Sequence, residues 1–283
     1  MSIKKVGVVG CGQMGSSIAL LTAQAGLPTV VSELNEDLLN EGLRNVQNLV
    51  NRYITKGKLL KRDKDTVDAN LIGTTTIEDF ADCDLVIEAI LEDAGEKKKL
   101  FAELDSVCSP ETILASNTFS LPITDMASVT QRPDKVIGMR FFYPVVVMTL
   151  LEIVTTILTS EETVKTAKAF GESLGKSIII SKDEPGFVVN RLVAPFLLDA
   201  IRLLESGVAS REDIDASMVL GLNHPMGPLR LSDLIGLDNV LYVTQSLYEQ
   251  LQEEKFAPPQ ILVNMVKAGH LGRKASKGFY EYK

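Results

Sequence analysis

Gly10-Cys11-Gly12-Gln13-Met14-Gly15 stands directly after the apolar run Val6–Val9 and opens a helical pattern at Ser16–Leu21. Glycines at those three positions make a cradle for a dinucleotide pyrophosphate. Gly10 permits the tight turn, Gly12 lets the backbone approach the phosphates, and Gly15 lets the helix pack closely on the strand. Unpaired N–H groups at the helix start, with Gln13 and Met14 in the loop, then meet the anionic oxygens. A second apolar run, Thr29–Ser32, ends at Glu33, eighteen residues after Gly15. A carboxylate there holds a ribose 2′-OH and repels a 2′-phosphate. The pattern predicts NAD rather than NADP as cofactor. A glycine turn of a βαβ unit without a ligand is the other reading of the same residues.

Such a cradle needs a sheet to carry it. Strand-like runs at Val6–Gly10, Pro28–Ser32, Leu71–Thr74, Leu85–Ala89, Ile113–Ser116, Val136–Met139 and Leu150–Thr155 alternate with helical segments such as Glu36–Lys56, Gly95–Ser106 and Ser160–Leu174. This alternation predicts an α/β fold, a mostly parallel doubly wound sheet with helices on both faces. The polar stretch Asn45–Asp68, with Lys56, Lys58, Lys61 and Lys64, reads as a helical pair standing off the sheet rather than as core. After Lys182–Gly186 the β-branched runs nearly vanish, and Val189, Leu192, Val193, Phe196, Leu197, Ala200 and Leu204 recur at helical spacing. Gly207 ends that helix, and Ser210 with Asp213 reads as a capping box for the next. The expected organisation is a Rossmann-type N-terminal domain over residues 1–183 and an all-α C-terminal domain over residues 184–283. Catalysis is expected in the cleft between them.

With 283 residues, 45% hydrophobic and 23% charged, the chain is long enough for two cores. A net charge of −8 argues against a basic nucleic-acid surface. Cys11, Cys83 and Cys108 are too few and too scattered for a disulfide framework or a metal site. No signal peptide is visible, and no apolar run approaches the roughly 18–20 residues that span a bilayer. The expectation is a cytoplasmic protein with no metal, nucleic-acid or membrane partner. The only histidines are His224 and His270.

Gly10–Gly15, Asp84–Ala89, Ser116-Asn117-Thr118, Val136–Glu152, Pro185–Arg191, His224–Pro228 and Lys277–Tyr282 together resemble the L-3-hydroxyacyl-CoA dehydrogenases, the short bacterial 3-hydroxybutyryl-CoA dehydrogenases above all. The resemblance spans essentially the whole chain. It implies reversible oxidation of a 3-hydroxyacyl-CoA to its 3-keto form with NAD. In that family a histidine removes the hydroxyl proton and a glutamate supports it. A serine and an asparagine hold the substrate oxygen and the nicotinamide end, and a second asparagine on the first C-terminal helix completes the site. The resemblance also implies a homodimer. It matches Glu152 and Asn190 to the family's glutamate and second asparagine, and Glu92 and Lys97 to nicotinamide-ribose contacts. Lys274 corresponds to a late lysine near the cofactor. For Glu92, Lys97 and Lys274 a solvated surface charge is the alternative. Lys56 falls where the family holds the CoA nucleotide, although a solvated helix face explains that lysine run equally well.

The chain departs from the family pattern at three site positions, and the following Pro-x-Pro-Val-Met also becomes Pro144-Val145-Val146-Val147-Met148. Met-His-Phe-Phe-Asn-Pro becomes Met139-Arg140-Phe141-Phe142-Tyr143-Pro144, so Arg140 stands at the histidine position and Tyr143 at the asparagine position. Ser-Asn-Thr-Ser-Ser becomes Ser116-Asn117-Thr118-Phe119-Ser120, so Phe119 replaces the site serine while Asn117 is kept. A guanidinium stays protonated and cannot be a general base. It can pair with Glu152, stabilise an oxyanion, or clamp a carboxylate. His224 lies in a family turn and reads as structural. Tyr143 is the newly introduced group able to move a proton, and a phenol, which ordinarily ionises near pH 10, needs a neighbouring cation to do so at neutral pH. The leading expectation is an oxidoreductase acting on an acyl-CoA-like or carboxylate-bearing substrate. In it Tyr143 moves the proton, Arg140 holds the substrate anion, Glu152 holds Arg140, and Phe119 narrows the space. The alternative is a catalytically silent NAD-binding homologue acting as a partner or regulatory subunit.

Overall fold

A computed structural model describes residues 2–282, which fall into two compact units that divide between Glu184 and Pro185. The first unit contains eight strands: β1 (Val6–Val9), β2 (Thr29–Ser32), β3 (Leu71–Thr74), β4 (Leu85–Glu88), β5 (Ile113–Ser116), β6 (Val136–Phe141), β7 (Leu150–Thr155) and β8 (Ser177–Lys182). They form one sheet in the order β3-β2-β1-β4-β5-β6-β7-β8. The first six pair in parallel, with the strand order reversing between β1 and β4. This is the doubly wound arrangement, whose switch point is where ligands bind. β7 then runs antiparallel to β6, and β8 parallel to β7.

Central β1, β4 and β5 are buried at every residue, as uninterrupted Val/Ile/Leu runs in a parallel sheet require. The helices are α1 (Gln13–Gln24), α2 (Glu36–Thr55), α3 (Lys61–Asn70), α4 (Ala94–Val107), α5 (Ile123–Ala127) and α6 (Glu161–Ser173). Asn35, Asp93 and Ser160 cap α2, α4 and α6 by accepting from the N–H three residues on, and acidic residues follow in each first turn.

Three expectations change. The pair α2 and α3 does not stand off from the core: Val46, Val50, Tyr53, Leu59 and Val67 are buried in the same cluster as Val6, Val8, Ile18 and Leu20. Its lysine-rich surface conceals an apolar stripe at helical spacing. β6 extends two residues beyond Met139, because the antiparallel ladder with β7 supplies partners for Arg140 and Phe141. β8 was not anticipated, although Ile178-Ile179-Ile180 is a strand-like run. It is an edge strand, mostly exposed or half-buried.

The second unit comprises α7 (Val189–Glu205), α8 (Arg211–Leu222), α9 (Pro228–Ile235), α10 (Leu237–Leu251) and α11 (Gln260–Lys267). Its core gathers Leu197, Leu198, Ile201, Ile214, Leu229, Leu237, Val240, Leu262 and Phe279. Gly207, at φ +70°, closes α7 as expected. Ser210 caps α8 through Asp213 N–H at 3.1 Å, but Asp213 takes the Ser210 hydroxyl rather than completing the backbone half of a capping box. The C-terminal segment is pinned by buried Asp233, which accepts from Phe279 N–H, Tyr280 N–H and the Tyr282 hydroxyl, each at 2.9 Å. Asp233→Ala strands three donors at once, at a cost on the order of 3–5 kcal/mol. Urea denaturation should show a midpoint lowered accordingly, with the C-terminal segment becoming the first site of proteolysis.

Candidate active site

Gly10 follows β1 directly; its N–H donates to Ser32 O at 2.9 Å, and its φ of +93° would strain any residue with a side chain. A Cβ on Gly15 would lie 1.8 Å from Gly10 O, so α1 can start this close to β1 only with glycine there. Around Gly12 the situation is reversed: a Cβ would meet nothing within 4 Å. Gly12 is also the N-cap of α1 and has no side chain to cap it. The first N–H groups of α1 thus face open space above the loop, the geometry that takes a pyrophosphate. Glu33 reaches the same loop. Its carboxylate accepts from Cys11 N–H at 2.7 Å and Leu34 N–H at 3.2 Å, which holds a negative charge at the end of β2. An open Gly12, an uncapped helix start and a carboxylate tied beside them fit an NAD-type dinucleotide. The Cys11 thiol is not part of this chemistry, since burial pushes it up to about 12.

The ends of β4 and β5 carry a buried polar network. Glu88, fully buried, accepts from Lys97 Nζ, from Ile90 N–H at 2.7 Å and from the Ser116 hydroxyl at 2.6 Å. Burial pushes the Glu88 carboxyl up, and the Lys97 ammonium opposes that rise. Lys97 is 1% exposed and also lies 3.3 Å from Glu92, so the surface-charge alternative does not hold for it. Glu92 Oε1 gathers the Thr118 hydroxyl, Phe119 N–H, Ser120 N–H and the Ser120 hydroxyl. It therefore shapes the loop bearing Phe119. Glu88 escaped the sequence reading, yet a lone carboxylate in the apolar run Leu85–Ala89 already demands a buried cation.

β6 and β7 set the substituted position Arg140 against Glu152. Arg140 stands directly opposite Glu152 in the ladder, and its Nη1 donates to Glu152 Oε2 at 3.0 Å. Glu152 is fully buried and Arg140 nearly so. Burial pulls the guanidinium below its ordinary value, while Glu152 and then Glu92 hold it up. Arg140 also lies over the Phe142 ring, 4.6 Å from its centroid. Asn117 fixes the end of this strand by accepting from Phe141 N–H at 2.8 Å. Phe119 is half-buried, whereas Tyr143 is 41% exposed. Tyr143 lines a cavity of about 320 Å³ together with Gln13 and Ser16 of α1 and Asn45, Asn48, Leu49 and Arg52 of α2. Beside it the Tyr53 phenol is pushed up by burial and by Tyr143, with Arg52 opposing.

The first unit carries Gly10, Gly12, Gln13, Met14, Gly15 and Glu33 at the loop after β1 and the end of β2, Glu92, Asn117 and Phe119 after β4 and β5, Lys97 on α4, Arg140 and Glu152 on β6 and β7, and Tyr143 just after β6. Asn190 and Lys274 belong to the second unit. Asn190 is buried at the start of α7, and Lys274 Nζ pairs with Asp238 Oδ2 at 2.6 Å. His224 packs against the Phe196 ring at 5.6 Å, in keeping with a structural role. Among the described residues no helix is long and apolar enough to cross a membrane, and no cluster of metal-ligating side chains occurs.

Comparison with known proteins gives a consistent picture. The family profile "3-hydroxyacyl-CoA dehydrogenase, NAD binding domain" matches residues 5–184, and "3-hydroxyacyl-CoA dehydrogenase, C-terminal domain" matches residues 186–282. The chain is 44% identical over 283 residues to a 3-hydroxybutyryl-CoA dehydrogenase of Mycobacterium tuberculosis, covering 99% of each protein. Its fold is similar to the crystal structure of M. tuberculosis FadB2, with a TM-score of 0.98, 44% identity and full coverage of both chains. It is also similar to the (S)-3-hydroxybutyryl-CoA dehydrogenase PaaH1 from Ralstonia eutropha, with a TM-score of 0.95, 42% identity and full coverage of both.

Gly12→Ala separates fold from ligand. The added methyl meets no protein atom, so the melting temperature should hold, while NADH affinity, read by fluorescence titration, falls about tenfold or more as the methyl fills the cradle. The thiols give a second check. Cys11 and Cys83 are raised to about 12 and Cys108 to about 11, all by burial first. Iodoacetamide at pH 8 should label none of them in the native protein and all three after unfolding. Unfolded thiols ionise near pH 8.5, so above that pH the native state binds more protons and alkali favours unfolding.

Proposed function

The chain belongs to the 3-hydroxyacyl-CoA dehydrogenase family, and we propose that it is an active NAD-dependent oxidoreductase whose proton-transfer machinery has been rebuilt around Arg140 and Tyr143. The family membership supports an enzyme that uses NAD and stands close to the 3-hydroxybutyryl-CoA dehydrogenases. The observation that carries the rebuilt site is the buried Arg140–Glu152 pair at the β6–β7 ladder. A bound NAD would supply the hydride acceptor for oxidation of a carbinol carbon, and NADH the donor for the reverse.

The residues of this chain supply the rest. The Gly10–Gly15 loop and the start of α1 bind the pyrophosphate, and Glu33 accepts from a ribose hydroxyl. Glu92, Lys97 and Asn117 frame the nicotinamide end. Arg140 holds the substrate oxygen or a substrate carboxylate by charge-assisted hydrogen bonds, and Glu152 fixes the plane of the guanidinium. Tyr143 takes the hydroxyl proton in oxidation and returns it in reduction. Arg52 lines the same cavity as Tyr143. Phe119 restricts the acyl chain on that side. Asn190 and Lys274 keep the supporting roles that the family gives their positions. Residues 1–183 act as the cofactor domain and residues 184–283 as the substrate and dimerisation domain. The substrate is acyl-CoA-like or carboxylate-bearing and the protein works in the cytoplasm. Leu192, Leu220 and Leu222, exposed on α7 and at the end of α8, favour a homodimer.

The test is an NADH titration followed by turnover assays over 3-hydroxyacyl-CoAs and hydroxy acids of graded chain length. At least one substrate should turn over, and Tyr143→Phe should lower its kcat by about a hundredfold with NADH affinity unchanged. Ordinary NADH binding with no turnover across the panel would instead support a silent NAD-binding partner subunit. In that case Arg140→His with Phe119→Ser and Tyr143→Asn should restore 3-hydroxybutyryl-CoA oxidation.

A further inference from the structure

Lys176 lies between α6 and β8, outside the groups the reaction uses, and is buried with 7% of its surface exposed. Among the described residues no carboxylate pairs with it. Its ammonium instead donates to two main-chain carbonyls, Val145 O at 2.5 Å and Met148 O at 2.8 Å. Taking an ammonium out of water without a counter-ion is costly, and burial lowers its affinity for the proton. An apolar residue would fill the same space at less expense, so the interaction itself needs a reason.

That reason lies in what the two carbonyls belong to. Val145 and Met148 sit in the connection between β6 and β7, which begins at Phe142 and carries Tyr143 at its head. Pro144 O closes the same connection by accepting from Val147 N–H and Met148 N–H, each at 2.9 Å. The Val145 side chain is fully buried, and the strand before the turn is held by the bond from Phe141 N–H to Asn117. The turn is therefore gripped at its entry by Asn117, inside by Pro144 O, and from outside by Lys176, with Ser177 N–H donating to Thr149 O at 2.7 Å just before β7. We propose that Lys176 is a positioning residue: its ammonium fixes the Tyr143–Met148 turn and thereby the direction in which the Tyr143 phenol faces the cavity. The inference rests on the proton-transfer role given to Tyr143 for its effect on turnover, but the placement of the turn is measurable without it.

The experiment incorporates 3-fluorotyrosine at position 143 of the full chain and records its fluorine resonance in Lys176→Met, Lys176→Gln and, as an exposed control on α6, Lys168→Met. NADH affinity reports that each variant is folded. Lys176→Met should shift and broaden the resonance and lower kcat by roughly a hundredfold with NADH affinity within about twofold of the parent, since misplacement of a reacting group by about 1 Å has that effect. Lys176→Gln, which keeps one donor group, should fall between, and Lys168→Met should match the parent. A purely structural lysine would lower the melting temperature and leave the resonance and kcat in place, and an unmoved resonance in both Lys176 variants overturns the proposal. A moved resonance, with Tyr143→Phe fully active, upholds Lys176 as the strap on the turn and removes Tyr143 from proton transfer.

Discussion

A guanidinium and a carboxylate that face each other across an antiparallel ladder, both withdrawn from water, constrain everything built near them. Arg140 and Glu152 are such a pair, and neither can be removed alone without leaving an uncompensated charge in the interior, typically at a cost of about 3–5 kcal/mol. The pairing depends on β7 reversing direction against β6, which places the two residues in register. It also fixes where the β6–β7 connection starts, and so where Tyr143 can stand. The Phe142 ring lies against the guanidinium, 4.6 Å from its centroid, and adds a cation–π contact to the pair.

The loop after β1 and the polar network after β4 and β5 are set by different physical limits. The loop after β1 is set by steric limits: a turn open only to glycine at Gly10, a contact closed to any Cβ at Gly15, and clear space at Gly12. The network after β4 and β5 is set by charge satisfaction, with Lys97 answering Glu88 and Glu92 gathering the loop of Phe119. The second of these also acts on position 140, since Glu92 helps to hold the Arg140 guanidinium charged.

The parts of this arrangement that follow local rules were legible in the chain. The glycine spacing, the acidic end of β2 and the alternation of apolar runs with helical patterns are imposed over a few residues, and they led to the doubly wound sheet. The pairing of Arg140 with Glu152 was also within reach, because a buried cation needs a carboxylate and the next strand offered one. The apolar stripe of α2 and α3 was masked by Lys56, Lys58, Lys61 and Lys64, whose charged ends say nothing about the opposite helix face. Contacts that join distant segments left weaker traces. That Lys176 would reach carbonyls 31 and 28 residues earlier, or that Arg52 would share a wall with Tyr143, depends on how helices settle on the sheet. Those are tertiary outcomes without a local signature.

The most direct measurement of the account is a double-mutant cycle on the buried pair, Arg140→Gln, Glu152→Gln and both together, read as kcat/KM on the best substrate alongside NADH affinity. If Glu152 acts by holding Arg140 against the substrate, each single change lowers kcat/KM about as far as the double, and NADH affinity stays level throughout. Additive losses, or an unchanged kcat/KM in the folded variants, would show that the pair is scaffolding and that the chemistry lies elsewhere.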